Sequence, residues 1–348
     1  MSSETGAVFS SRGWPWPVLK WSLFAIVLAF VIRHGHRLWT DAKAQHTGAA
    51  DVHIHAGWML ASVGLSIIAW SPSVWYWRRL MRSLGENVSW KHAARAYFCG
   101  HLGKYVPGKA AVLVIRAAML KPEGVGTATA AFTVTFETLT YMAAGVMSVA
   151  GLLPWWADDT GWTARLPASF AGRAAFAVPT VLVGLAGWAV FSQVFIRFVR
   201  RLAKVMESDT ASAPRLSLGL CLSGIGPLVV AWFVHGLSLG CAIQAVSPEP
   251  VAWSDWPAWT AANIIANVLG FAAVFAPGGV GVREGLLMNL LAPRIGPLSA
   301  VLVAVLMRGV SFVGETVMAA ALYYAVKPSK NPVNVAGSLR DPKAPVTE

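Results

Sequence analysis

Long apolar runs recur along the whole chain, and no other feature constrains its fold as strongly. They cover Trp21 to Ile32, Trp58 to Ala69, Val125 to Trp155, Ala174 to Ile196, Leu216 to Val246, Ala258 to Ala276 and Leu298 to Val326. Most reach the roughly 20 residues that a helix needs to cross a hydrocarbon core about 30 Å thick. In that solvent each backbone N–H and C=O must find its partner within the protein, so these runs are read as helices. Composition agrees: 56% of the 348 residues are apolar and only 13% are charged, too few charges for a water-soluble domain of this length. Tryptophans Trp14, Trp16, Trp75, Trp77, Trp155, Trp156, Trp256 and Trp259 stand at run ends, where an indole can lie in lipid with its N–H among headgroups. The first run has no small-residue cleavage site after it and is expected to be a retained anchor.

A net charge of +12 suits nucleic acid or a membrane surface. The basic residues lie beside apolar runs and no nucleic-acid module is visible, so the membrane explains them. Arg79, Arg82, Lys91, Arg95, Lys104, Lys109 and Arg116, opposed only by Glu86, form one basic stretch; Arg197, Arg200, Arg201 and Lys204 form another. Both are expected on the cytoplasmic side, with the loops around Asp158 and Asp159 and around Glu249 and Asp255 outside. Residues 1–16 and the polar tail 327–348 then form cytoplasmic ends of a single domain, 17–326, with halves at about 17–155 and 172–326. The three cysteines are scattered, and no zinc spacing or nucleotide-binding loop occurs, so no cofactor is expected. His34, His36, His46, His53 and His55 crowd the first outside loop without a defined ligand spacing.

This orientation requires two of the apolar stretches to turn back. His92 to Val106 reaches Pro107-Gly108 and restarts as Ala110 to Leu120, and Ala258 to Ala276 reaches Pro277-Gly278-Gly279 and restarts as Val282 to Leu291. Paired Gly/Pro-interrupted segments at corresponding places in two halves point to a transporter binding site. The expected fold is an all-α polytopic membrane protein: about six full transmembrane helices plus two Pro-Gly re-entrant or broken helical hairpins in an inverted repeat. Ordinary turns between tilted helices are the alternative.

Glu137, Arg308 and Glu315 lie inside apolar runs, where an ionised group costs about 2.5 to 3.5 kcal/mol. They are expected to face the bundle interior, with Arg308 paired to Glu137 or Glu315. Thr129, Thr133, Glu137 and Tyr141 recur every four residues as one polar stripe. After each Pro-Gly a half-helix begins, and its free N–H groups favour an anion. Lys104, Lys109, Arg116 and Arg283 stand within reach to add charge-assisted bonds to phosphate, with Glu284 beside Arg283. Snorkelling to the interface competes for Lys104 and is favoured for Arg95. Asn263 and Asn267, four apart, either line a cavity or join helices, and His235 is read as a packing residue rather than a proton relay.

The string Gly100-His101-Leu102-Gly103-Lys104-Tyr105-Val106-Pro107-Gly108-Lys109, with Arg116 seven residues on, and the string Phe275-Ala276-Pro277-Gly278-Gly279-Val280-Gly281-Val282-Arg283-Glu284-Gly285 resemble the two hallmarks of the lysylphosphatidylglycerol synthase transmembrane region family. Glu137 and Arg308 match an acidic residue and an arginine of that family, and the resemblance runs from Trp21 to about Val326. Thr138, Tyr141, Ala111 and Val112 depart from its pattern, so a thinner ion-pair network is expected. The bifunctional members continue into a soluble aminoacyl-transferase domain, whereas this sequence ends at Glu348 and is not expected to make lysyl-phosphatidylglycerol by itself.

What the resemblance implies is a flippase-like, non-enzymatic transporter in the cytoplasmic membrane. It would move an anionic phospholipid or polyprenyl-phosphate-linked lipid, for which a separate synthase or glycosyltransferase is a possible partner. The rivals are a membrane-embedded lipid-headgroup or sugar transferase, for which Asp158-Asp159 is the one acidic pair, and a scaffold for a separate enzyme.

Overall fold

The computed structural model describes residues 54–105, 110–156, 170–205, 216–273 and 279–328, with Arg33, His36 and Thr40. The first apolar run, most of the histidine-rich loop, Asp158-Asp159, Pro107, Gly108, Lys109, Pro277, Gly278 and the tail from residue 329 lie outside the described residues. Every regular element among the described residues is helical, and five stretches are long and apolar enough to cross a membrane: Ala56–Ser83, Thr127–Trp155, Gly172–Arg201, Leu218–Val246 and Pro297–Ala325. The protein is an all-α polytopic membrane protein.

The first of these spans is α1 (Ala56–Ala69) followed directly by α2 (Ser71–Ser83). Trp70 joins them in a helical backbone conformation, and Pro72 sits in the first turn of α2, where its missing N–H is harmless. The apolar run therefore continues past Ala69 and ends among Arg78, Arg79 and Arg82. A short arm, α3 (Trp90–His101), follows, with the Ser89 hydroxyl accepting from the His92 N–H at 3.3 Å as its cap. A 3-10 turn, Leu102–Tyr105, leads to the tip, and α4 (Ala110–Leu120) returns against α3. Next come α5 (Thr127–Trp156) and α6 (Phe170–Val205).

Beyond α6 the chain again gives a two-part span, a pair of arms and a long helix. The short α7 (Leu218–Ser223) and α8 (Ile225–Val246) form one span, bent at Gly224, where an added Cβ would strike the Tyr76 ring. The arms α9 (Trp256–Ala272) and α10 (Val282–Ile295) pack on each other, and α11 (Pro297–Ala325) closes the bundle. At the second tip Gly279 (φ +70) and Gly281 (φ +88) adopt left-handed backbone, which glycine alone tolerates readily. The Glu284 carboxylate accepts from the Gly281 N–H at 2.7 Å and starts α10.

Packing is reciprocal between the halves. The first spans, α1 and α8, lie along each other through a Ser62–Ser238 contact in which each hydroxyl donates to the other's carbonyl at 2.8 Å. The arm α3 crosses to α11, and α9 crosses to α5, so one arm of each pair leans on a long helix from the other part of the chain. Helix α6 stands apart: 11% of its span is buried against 44% for Thr127–Trp155, and Leu182, Val183, Val190 and Val194 face outward. Apolar side chains in that position belong in lipid.

Candidate functional site

The arm pairs and long helices enclose a cavity of about 340 Å³. Lys104, Arg116, Glu137, Asn263, Asn267, Gly279, Arg283 and Glu315 all line it, so residues from both tips and three long elements converge as the sequence suggests. Glu284 and Arg308 stand behind this wall and hold each other.

The first ionic cluster is built on α3, α4 and α5. Arg116 and Glu137 are each 2% exposed, and one guanidinium nitrogen of Arg116 stands 3.4 Å from Glu137 Oε2. The same guanidinium lies over Tyr97, 3.8 Å from the ring centre, and its other nitrogen donates to His101 Nδ1 at 3.1 Å. The Tyr97 hydroxyl donates to Glu137 Oε1 at 3.2 Å. A carboxylate and guanidinium so deep in apolar surroundings are tolerable because each neutralises the other and shares further hydrogen bonds. Gly100 makes room for Arg116, since a Cβ there would occupy the space of the arginine stem. Gly103 lets the backbone of α4 approach: its Cβ would stand 2.8 Å from Val112 N. Gly100 and Gly103 thus have separate steric duties.

The second cluster joins the first tip to α11. Lys104 Nζ lies 2.5 Å from Glu315 Oε1, and the Tyr105 hydroxyl donates to Glu315 Oε2 at 3.2 Å. The third joins the second tip to the same helix, with Arg308 3.6 Å from Glu284 and its guanidinium over the Tyr105 ring at 5.2 Å. Arg308 and Glu315, seven residues apart, present one face of α11 to both tips.

Several expectations change here. The pair shown for Arg308 is Glu284, while Glu137 is met by Arg116 and Glu315 by Lys104, because each carboxylate is claimed by the nearest tip or arm. Lys104 is held at the cavity and does not snorkel. Arg95 is 7% exposed, with its guanidinium over Tyr323 at 5.0 Å, so it too is buried, in the seam between α3 and α11. The α5 stripe divides: Glu137 and Tyr141 face the cavity, but the Thr133 hydroxyl accepts from Trp77 Nε1 at 3.1 Å behind it. Asn267 donates to the Asn263 side-chain oxygen at 2.9 Å, a bond along α9 rather than between helices.

Arg283 is the exception among the cations. It lines the cavity, yet forms no ion pair or hydrogen bond with any described residue, and its neighbour Glu284 is committed to Arg308 and the Gly281 N–H. Gly270 keeps the second tip close to α9, as a Cβ there would stand 3.3 Å from Arg283 Cβ.

The rest of the lining is aromatic. His101 lies 4.2 Å from the Trp70 ring and 5.0 Å from Tyr97, His235 meets the Trp70 edge at 4.9 Å, and Tyr141 stacks on Trp232 at 4.3 Å. Sequence reasoning missed Trp70, Tyr97 and Trp232 as wall residues. For Tyr97 a signal was present, because it precedes His101 by one helical turn and shares its face. Trp70 directly follows the apolar run Trp58 to Ala69, and only the α1–α2 continuation carries it inside. No group of three or more metal-ligating side chains occurs among the described residues.

A comparison with curated proteins returns no match. The family model for the lysylphosphatidylglycerol synthase TM region, by contrast, matches residues 18–319, and on that coverage this chain belongs to the lysylphosphatidylglycerol synthase TM region family.

Proposed function

We propose that the protein is a non-catalytic transporter that moves an anionic phospholipid or polyprenyl-phosphate-linked lipid across the cytoplasmic membrane, with both termini on the cytoplasmic side. The observation that carries this reading is that Arg283 has no ion pair or hydrogen bond among the described residues. Among those residues around the cavity, the cations Lys104, Arg116, Arg283 and Arg308 meet the carboxylates Glu137, Glu284 and Glu315. One positive charge is left over at membrane depth, where an uncompensated charge is expensive and a bound anion relieves the cost. A phosphate headgroup supplies such an anion, and a guanidinium binds it with two parallel hydrogen bonds.

The tips supply the moving parts. Each is fastened to α11 by one ion pair, Lys104 to Glu315 and Arg308 to Glu284, and a phosphate that competes for Lys104 or Arg308 loosens one fastening at a time. The reciprocal packing gives each arm pair an equivalent support in the opposite half, as alternate opening to the two sides needs.

The test is reconstitution in neutral vesicles doped with fluorescent phosphatidylglycerol, followed by quenching of the outer leaflet. Wild type is expected to expose inner-leaflet label within minutes, and Arg283→Gln to slow this by at least about tenfold, the loss of one charge-assisted contact. Equal rates for wild type and Arg283→Gln refute the route.

A further inference from the structure

The cavity wall has a second property besides its surplus charge. All three carboxylates around it already accept from cations, so none is free to receive an ammonium group. Apart from Arg283, the other polar side chains of the lining are neutral, among them Asn263 and Asn267 on α9, His235 on α8 and Thr138 on α5. Asn263 is 2% and His235 7% exposed, and His235 Nε2 has no partner among the described residues. The indole N–H of Trp70 and the Nε of Arg116 are likewise without one, and both are obligate donors. Tyr141 and Trp232, stacked on each other, also line the cavity and add aromatic surface of the kind on which the C–H face of a polyol or sugar rests.

We infer that the cavity selects a phosphate joined to a neutral hydroxylated headgroup, such as glycerol, inositol or a sugar, and rejects a headgroup that carries an ammonium. The phosphate sits at Arg283, and the hydroxyls reach the amides of Asn263 and Asn267 and the imidazole of His235, which both donate and accept. An aminoacylated or ethanolamine headgroup brings an ammonium to a wall whose carboxylates are already paired, and a positive charge to a chamber that already holds one in excess among the described residues. This selection deepens the transport reading and rests on it for its physiological meaning, but it is a statement about binding and can be measured without transport.

The experiment uses the full chain in nanodiscs of phosphatidylcholine containing equal small fractions of two competing lipids, with the retained lipid counted by native mass spectrometry after detergent release. Phosphatidylinositol, phosphatidylglycerol and a glucosyl polyprenyl phosphate are each set against lysyl-phosphatidylglycerol, phosphatidylethanolamine and phosphatidic acid. Each hydroxylated anionic lipid is expected to be enriched about tenfold over the ammonium lipids, and whichever of the three is retained most identifies the diacyl or polyprenyl source. It is also expected to exceed phosphatidic acid, which has the phosphate without the polyol. Asn267→Asp adds a free carboxylate to the wall and is expected to shift retention toward lysyl-phosphatidylglycerol. Equal or stronger retention of the ammonium lipids by wild type overturns the inference, as does retention of phosphatidic acid equal to that of phosphatidylinositol. Selective retention in a protein that fails the vesicle assay leaves this inference standing and removes the transport reading; unselective retention in an active protein does the reverse.

Discussion

Arg116, Glu137, Lys104, Glu315, Arg308 and Glu284 are each held by an opposite charge inside the bundle, and this makes their removal costly. Arg116 and Glu137 are both almost fully buried, so Glu137→Gln strands a guanidinium and Arg116→Gln strands a carboxylate. Breaking a buried pair from one side costs about 3 to 5 kcal/mol, whereas replacing both partners by apolar groups is often neutral. We therefore expect each single substitution to lower the thermal unfolding midpoint in detergent substantially. Arg116→Leu combined with Glu137→Leu is expected to recover most of that loss, and a double variant as unstable as the sum of the singles contradicts a direct coupling. The presence of these charges inside the bundle was legible in the sequence, because Glu137, Arg308 and Glu315 interrupt apolar runs. Their partners were not, since Lys104 and Glu315 are 211 residues apart and nothing local distinguishes Glu315 from Glu137 as an acceptor.

Within the elements, glycine positions separate steric need from simple flexibility. An added Cβ at Gly103 meets the backbone of Val112 and Ala111, which cannot rotate away, and at Gly279 it meets the Gly270 carbonyl in a backbone of φ +70. Gly103→Ala and Gly279→Ala are each expected to cost about 1 to 3 kcal/mol, the range for overpacking and unfavourable backbone. Gly64→Ala in α1 and Gly187→Ala in α6 meet nothing within 4 Å and are expected to be neutral or to stabilise by up to about 1 kcal/mol. Denaturation midpoints of the four variants check the ranking; equal effects throughout would falsify it. The second arm boundary was readable: the restart at Val282 coincides with the first residue of α10. The first span was not, because the run broken at Trp70 continues as an amphipathic helix whose arginines mask its length.

At the scale of the whole molecule, α11 fastens both tips, and the proposed translocation by alternate opening requires Tyr105 and Phe312 to part. Their rings meet edge to face at 5.3 Å between centres. In a chain with Cys99, Cys221 and Cys241 replaced by serine or alanine, Tyr105→Cys with Phe312→Cys joined by a short cleavable cross-linker is expected to stop transport, and cleavage to restore it. Full activity in the cross-linked protein shows that this tip stays closed throughout. By itself the sequence determined that the chain crosses a membrane as helices, that two of its stretches are interrupted by glycine and proline, and that cations outnumber acids near those interruptions. These are consequences of run length, backbone chemistry and composition, which act over a few neighbouring residues. Only the tertiary structure decided that α3 leans on α11 and α9 on α5, and hence that three carboxylates are spent on Lys104, Arg116 and Arg308 while Arg283 faces the cavity alone. Charge pairing in a low-dielectric bundle is settled by which side chains packing brings within about 4 Å, and that proximity is a property of the assembled helices.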